Sequence, residues 1–270
     1  MKIMDTTDDA ELAVRAVRAG AAVVREMYGD DTLTRFDKGG GDFATTADLA
    51  AEEAILDVLR GARPDDAVTG EESGNSGADG AERRWLVDPL CGTVNYAARN
   101  MLVGVNVALR AGGDVHVGAT ADPFSGEVFW TDGERALVRS QDGVEDVGLR
   151  PSAESRLVDL NLDPPFRDRS FRAAGMLGEP EFAGPFRPRV VSTTLAVAWV
   201  AAGRRAGYVT DGADLRASVH FGAGIALCRA AGCVLTGIDG APLDRSVGGL
   251  VAAADERTHA RLLEIVRRQG

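Results

Sequence analysis

One stretch constrains the fold more than any other: Trp85-Leu86-Val87-Asp88-Pro89-Leu90-Cys91-Gly92-Thr93-Val94-Asn95-Tyr96. Trp85 to Val87 reads as an apolar strand. Asp88-Pro89 is expected to end it, because proline offers no N–H to a ladder. Gly92 permits a tight turn, and Thr93 suits the N-cap or first turn of a following helix. A carboxylate, a thiol and a hydroxyl are thereby gathered at a strand's end, where open α/β sheets place their ligands.

The bulk of the chain narrows the function. Its 270 residues give ample core for one large domain or two smaller ones. A net charge of −11 argues against nucleic acid or an anionic membrane as partner. No apolar run is long enough to span a bilayer, and the N-terminus turns acidic at Asp5, unlike a signal peptide, so the expected location is cytoplasmic. Three cysteines form no disulfide framework and are expected to be reduced. The spacing of Cys228 and Cys233 suits buried small hydrophobes, without assigned chemistry.

Read in order, a helix capped by Thr7 or Asp8 is expected over residues 10–28, with small and apolar residues at helical spacing. A polar, glycine-rich loop follows at 38–42, either simply flexible or a flap carrying Lys38. A second amphipathic helix runs from Thr46 to about Arg60, with Asp48 in its first turn, where an acid also favours the helix dipole. Strands are expected at 67–69, 102–109, 114–123, 127–131 and 135–138, at 157–162, 206–210 and 234–236, and at 250–253. Helices are expected from Phe171 to Leu177, after Thr194 to about Ala202, and from His259 to Arg268. His116 reads as an ordinary strand residue and His259 as a surface residue. A composition shift at 150–156 marks a boundary between an N-terminal α+β half (1–150) and a C-terminal α/β half (151–270).

The central stretch resembles the signature of the inositol monophosphatase family, Trp-x-x-Asp-Pro-[Ile/Leu]-Asp-Gly-Thr-x-Asn-[Phe/Tyr], at every position except one. Cys91 stands where the family has its second aspartate. Gly70-Glu71-Glu72 resembles the family's Gly-Glu-Glu block. The run from Val219 to Cys233 is similar to its second signature, with His220 at the place of the late metal-binding aspartate. The family's Gly-Ser-Ala-Ala element fits loosely onto Val191 to Thr194. The resemblance covers nearly the whole chain and implies a layered αβαβα sandwich, a homodimer and a small phosphate-ester substrate. It also implies magnesium on Glu71, Asp88 and the Leu90 carbonyl, with Asp48 and Thr93 activating the attacking water. Gly92, Thr93, Ser192 and Thr193 would contact the substrate.

The two replacements exchange hard anionic ligands for a thiol and an imidazole, which magnesium disfavours. Three readings follow. The first is a phosphatase with a remodelled site, keeping one hard cation at Glu71, Asp88 and Leu90; zinc or another softer ion at Asp88, Cys91 and His220 is its variant. The second is a metal-free enzyme using a Cys91–His220 pair for nucleophilic acyl or group transfer, its thiolate favoured by the following helix. The third is an inactive relative that binds a ligand or a partner protein.

Overall fold

The computed structural model describes residues 6–143, 145–162, 173–211, 215 and 218–269. Helix α1 (Thr6–Glu26) is followed by a hairpin, β1 (Arg35–Gly39) and β2 (Asp42–Thr45), and then by α2 (Thr46–Ala62). Strands β3 (Ala67–Gly70), β4 (Gly74–Ser76) and β5 (Arg83–Cys91) precede a short helix, α3 (Thr93–Ala97). A meander follows: β6 (Gly104–Ala111), β7 (Asp114–Ala121), β8 (Val128–Thr131), β9 (Ala136–Arg139) and β10 (Val147–Gly148). These strands form one eight-stranded sheet in the order β10-β9-β8-β7-β6-β5-β3-β4.

The second sheet begins with β11 (Leu157–Asn161). After it come a 3₁₀ turn (Ala173–Gly178), α4 (Pro180–Ala183), β12 (Arg187–Val190), α5 (Leu195–Ala201), β13 (Gly207–Thr210) and α6 (Gly222–Ala231). The chain closes with β14 (Val234–Thr236), β15 (Leu250–Ala253) and α7 (Glu256–Arg267). The sheet order is β12-β11-β13-β15-β14. Helices α1 and α2 cover one face of the large sheet, α5 and α6 fill the space between the sheets, and α7 covers the far face of the small sheet. The result is the αβαβα stack that the resemblance implies.

The layers follow from side-chain pattern. Leu12, Ala13, Ala16, Val17 and Val24 of α1 and Ala51, Ile55 and Leu59 of α2 are buried against Trp85, Val87, Val105 and Val107 of the sheet. Removing each large side chain of this set from water contributes about 1.5–3 kcal/mol. On the other face, α6 lies so close to β7 that a Cβ on Gly118 would come within 2.9 Å of the Ala223 backbone. That approach fixes the level at which α6, and His220 just before it, meets the sheet. No helix among the described residues is long and apolar enough to cross a membrane.

Several expectations change. Strand β5 does not stop at Asp88-Pro89 but continues to Cys91. Its neighbour β3 makes its last pair, Gly70, opposite Val87, so Pro89 needs no donor on that side. The polar loop around Lys38 is part of a β hairpin. His259 is buried, with Nε2 2.9 Å from Thr236 Oγ1, because α7 begins at Glu256 and turns this residue inward. His116 is an exposed residue of β7. Phe171 and most of the 211–218 loop lie outside the described residues.

Candidate active site

The site is built on a defect in β5. Asp88 pairs with Asn106 of β6 and Cys91 pairs with Gly104, so β5 carries one residue more than its partner across this interval. Such a bulge locally releases the ladder. Here it leaves the Leu90 carbonyl accepting from Thr93 Oγ1 at 3.2 Å. Gly92 then turns the chain at φ 106°, and a Cβ there would come within 2.9 Å of the Ser192 carbonyl and 3.0 Å of the Leu102 carbonyl. Asn95 Nδ2 donates to both of those oxygens, tying α3 to the segment before α5.

Thr93 Oγ1 also lies 2.8 Å from Asp48 Oδ1. Asp48 serves two purposes at once. Its Oδ2 accepts from Thr45 N at 2.8 Å and Thr45 Oγ1 at 2.5 Å, completing the capping box of α2, while Oδ1 is left for Thr93. Burial raises the Asp48 carboxyl above the usual range, against the pull of its Thr45 and Thr93 donors. Such a shift prepares it to take a proton.

Across from this relay lie Glu71 and Asp88. Buried oxygens Glu71 Oε2 and Asp88 Oδ1 have no hydrogen-bond partner. Burial, together with the Asp88 charge, pushes Glu71 up to about 8. Two buried carboxyls with orphaned oxygens require a proton or a cation. The donor set of Glu71, Asp88 and the Leu90 carbonyl is all oxygen, which fits a hard divalent ion such as magnesium. Lys38 Nζ, reaching from the hairpin, sits 3.1 Å from Glu71 Oε1 and 2.7 Å from Glu72 Oε1.

The neighbouring sub-site differs. Ligating atoms of Asp88, Cys91 and His220 all lie within 4.8 Å of one another. His220 Nδ1 is 2.8 Å from Asp88 Oδ2 and 3.8 Å from Glu71 Oε2. Although desolvation opposes it, the Asp88 charge and the hydrogen bond to Asp88 hold the ring protonated well above its ordinary range. The same pairing keeps Asp88 ionised below its ordinary range despite complete burial. Cys91 Sγ receives two donors, Thr194 N at 3.2 Å and Thr194 Oγ1 at 3.0 Å. Burial, then the Asp88 charge, raises its thiol. The expectation that the following helix would favour a thiolate is therefore reversed, since α3 has only five residues and an anion stands alongside. A thiol and a charged imidazole do not fit magnesium.

Of the residues expected at the site, Asp48, Glu71, Asp88, Leu90, Cys91, Gly92, Thr93 and His220 lie together around one site. Ser192 borders it through its carbonyl, held by Asn95. Thr193 is buried, with its hydroxyl accepting from Leu195 N, so Thr194 rather than Thr193 faces Cys91. Two residues were missed. Asn106 donates to Asp88 Oδ2 at 3.3 Å and to Thr194 Oγ1 at 2.9 Å, and accepts from Thr120 Oγ1 at 2.8 Å. A lone amide inside the apolar run 102–109 was the available signal for Asn106. For Thr194 it was the match to the Gly-Ser-Ala-Ala element.

The stacked layers and a carboxylate site on a strand-turn-helix define the sugar-phosphatase type of fold. The chain belongs to the inositol monophosphatase family, whose model matches residues 5–270. A protein named Nus factor SuhB from Pasteurella multocida is 32% identical over 251 residues, 90% of each chain. An inositol-1-monophosphatase from Caulobacter vibrioides is 29% identical over 266 residues, 94% of this chain and 99% of its own. Among solved structures, extragenic suppressor protein suhB from Bartonella henselae has a TM-score of 0.83 at 23% identity, covering 97% of this chain and 99% of that one. An inositol monophosphatase from Anabaena has a TM-score of 0.75 at 25% identity, covering 98% and 97%.

Proposed function

We propose that the chain is a metal-dependent phosphoric monoester hydrolase acting on a small sugar, cyclitol or nucleotide phosphate, with one hard-ion site and a remodelled neighbour. The observation that carries this reading is the Asp48–Thr93 pair beside the orphaned oxygens of Glu71 and Asp88. A divalent ion held by Glu71, Asp88 and the Leu90 carbonyl would supply Lewis acidity toward the phosphoryl group and the attacking water. Thr93 Oγ1 takes the water's proton and passes its own to Asp48 Oδ1. Backbone N–H groups at Gly92 and Thr93 would receive the phosphate. At the second sub-site the His220 ring supplies the positive charge that two lost carboxylates would have recruited. Zinc on Asp88, Cys91 and His220 is the variant of this reading. Measured release of inorganic phosphate from a panel of esters, with and without chelator, tests it, together with metal analysis of chelator-free protein. No turnover of any ester in any divalent metal refutes it.

The close approach of Asp88, Cys91 and His220 supports a second reading, nucleophilic group transfer by Cys91 without metal. Fast iodoacetamide labelling of Cys91 at neutral pH, slowed in His220→Ala, would favour it; equal, sluggish labelling in both proteins rejects it. Several relatives are named as Nus factors, yet a net charge of −11 argues against a polyanionic partner for this chain. Exposed Val94, Met101, Leu102 and Val190 border the segments that Asn95 ties together and support a homodimer through that face.

A further inference from the structure

The remaining two cysteines form a chemical unit of their own. Helix α6 ends at Gly232, which adopts φ 85°, and beyond it Cys233 N donates back to the Cys228 carbonyl at 2.9 Å. This closure brings the side chains at its two ends together. The nearness of Cys233, then burial, holds the Cys228 proton tightly. Cys228 is fully buried, whereas Cys233 is partly buried against the same core. Cys228 Sγ also donates to the Val197 carbonyl of α5 at 3.3 Å. Cys91 stands beyond the other end of α6, next to His220. Cys228 lies eight positions after His220, roughly 12 Å along a helix, well outside the reach of a disulfide.

We propose that Cys228 and Cys233 form a reversible intramolecular disulfide, making the end of α6 a redox modification site for small-molecule disulfides of the glutathione class. The partly accessible Cys233 thiolate attacks one sulfur of the incoming disulfide, forming a mixed disulfide and releasing one glutathione thiolate. Cys228 then attacks the Cys233 sulfur as its proton passes to the departing sulfur, the mixed bond breaks, and the second glutathione leaves as a thiol. The protein loses two electrons and two protons, and one glutathione disulfide becomes two thiols. Oxidation removes the S–H donor from the Val197 carbonyl, the tie between two helices. The leading end of one, α5, carries Thr194, and the leading end of the other, α6, carries His220.

The test uses the full chain incubated with oxidised glutathione, acid-quenched, blocked with iodoacetamide and mapped by mass spectrometry. The expected product has lost two hydrogens, carries a linked Cys228–Cys233 peptide with Cys91 alkylated, and returns to the starting mass with dithiothreitol. Cys228→Ala should instead retain a stable glutathione adduct on Cys233, and Cys233→Ser should lose the cross-link. Far-UV circular dichroism confirms that both variants are folded. A disulfide that includes Cys91, a linkage between chains, a persistent adduct on wild-type Cys233, or no reaction at either residue would each overturn the proposal.

Discussion

Replacing Asp48 with Asn separates the carboxylate's structural duty from its chemical one. In the wild type, Oδ2 accepts two donors from Thr45 while Oδ1 accepts one from Thr93. An Asn amide has one acceptor oxygen, and two Thr45 donors outweigh one, so the oxygen turns toward Thr45 and the NH₂ toward Thr93. The Thr93 proton is then directed to its other acceptor, the Leu90 carbonyl at 3.2 Å. The capping box survives, but nothing remains to take a proton from Thr93. Loss of a positioned base costs about 100- to 10,000-fold in rate, or about 3–5 kcal/mol of barrier. Burial disfavours the wild-type carboxylate, so a neutral amide should leave the urea midpoint unchanged or higher. The assay is kcat on whichever ester the panel identifies, with unfolding followed in parallel. Thr93→Val should fall by a similar factor, and the double variant should lose little more, because the two act as a unit. Turnover within about 10-fold of wild type in Asp48→Asn would be too small for a lost base and would refute the relay.

Isothermal titration with magnesium should give one ion per chain, and Glu71→Gln should abolish that binding by removing a carboxylate from a set of oxygen ligands; two magnesium ions per chain would contradict the remodelled sub-site. Gly92→Ala should lower unfolding free energy by about 1–3 kcal/mol from backbone strain alone, and more once the Ser192 and Leu102 carbonyls are displaced; an unchanged urea midpoint would show that the turn relaxes freely. Burial and, secondarily, the Arg267 charge depress His259, so the folded state holds it neutral while the unfolded chain protonates near 6.5. Its stabilising contribution is therefore present above that value and lost as pH falls below it. Unfolding between pH 7 and 5 should show a shallower acid loss in His259→Gln than in wild type, and parallel curves would exclude this linkage.

The layered fold was legible because periodicity and punctuation agree along most of the chain. Ala67-Val68-Thr69 and Leu250 to Ala253 could hardly be anything but buried strands. Glu71, Asp88 and Thr93 were legible for another reason: each sits at a turn that fixes its distance from the next. Asn106 was hidden because its role depends on which strand lies beside β5, and pairing is a long-range property that no local window contains. His259 was misplaced because a shift of three residues in the start of α7 rotates a side chain from solvent to core. Pro89 was misread for a related reason: whether a strand tolerates proline depends on whether its neighbour still continues.

The bulge in β5 changes the parity of the strand. In an unbroken strand, residues three apart point to opposite faces. With the extra residue, positions 88 and 91 fall on the same side, and a carboxylate and a sulfur open into one chamber with His220. Spacing is thereby uncoupled from chemistry: either side chain can be exchanged while the backbone socket stays the same. A deletion of one residue at 89 or 90 would do what substitution does not, closing the bulge and returning the freed carbonyl before Cys91 to the ladder. Chains built on this socket can thus alter their ligand set by point mutation, with the length of the strand as the one thing held fixed.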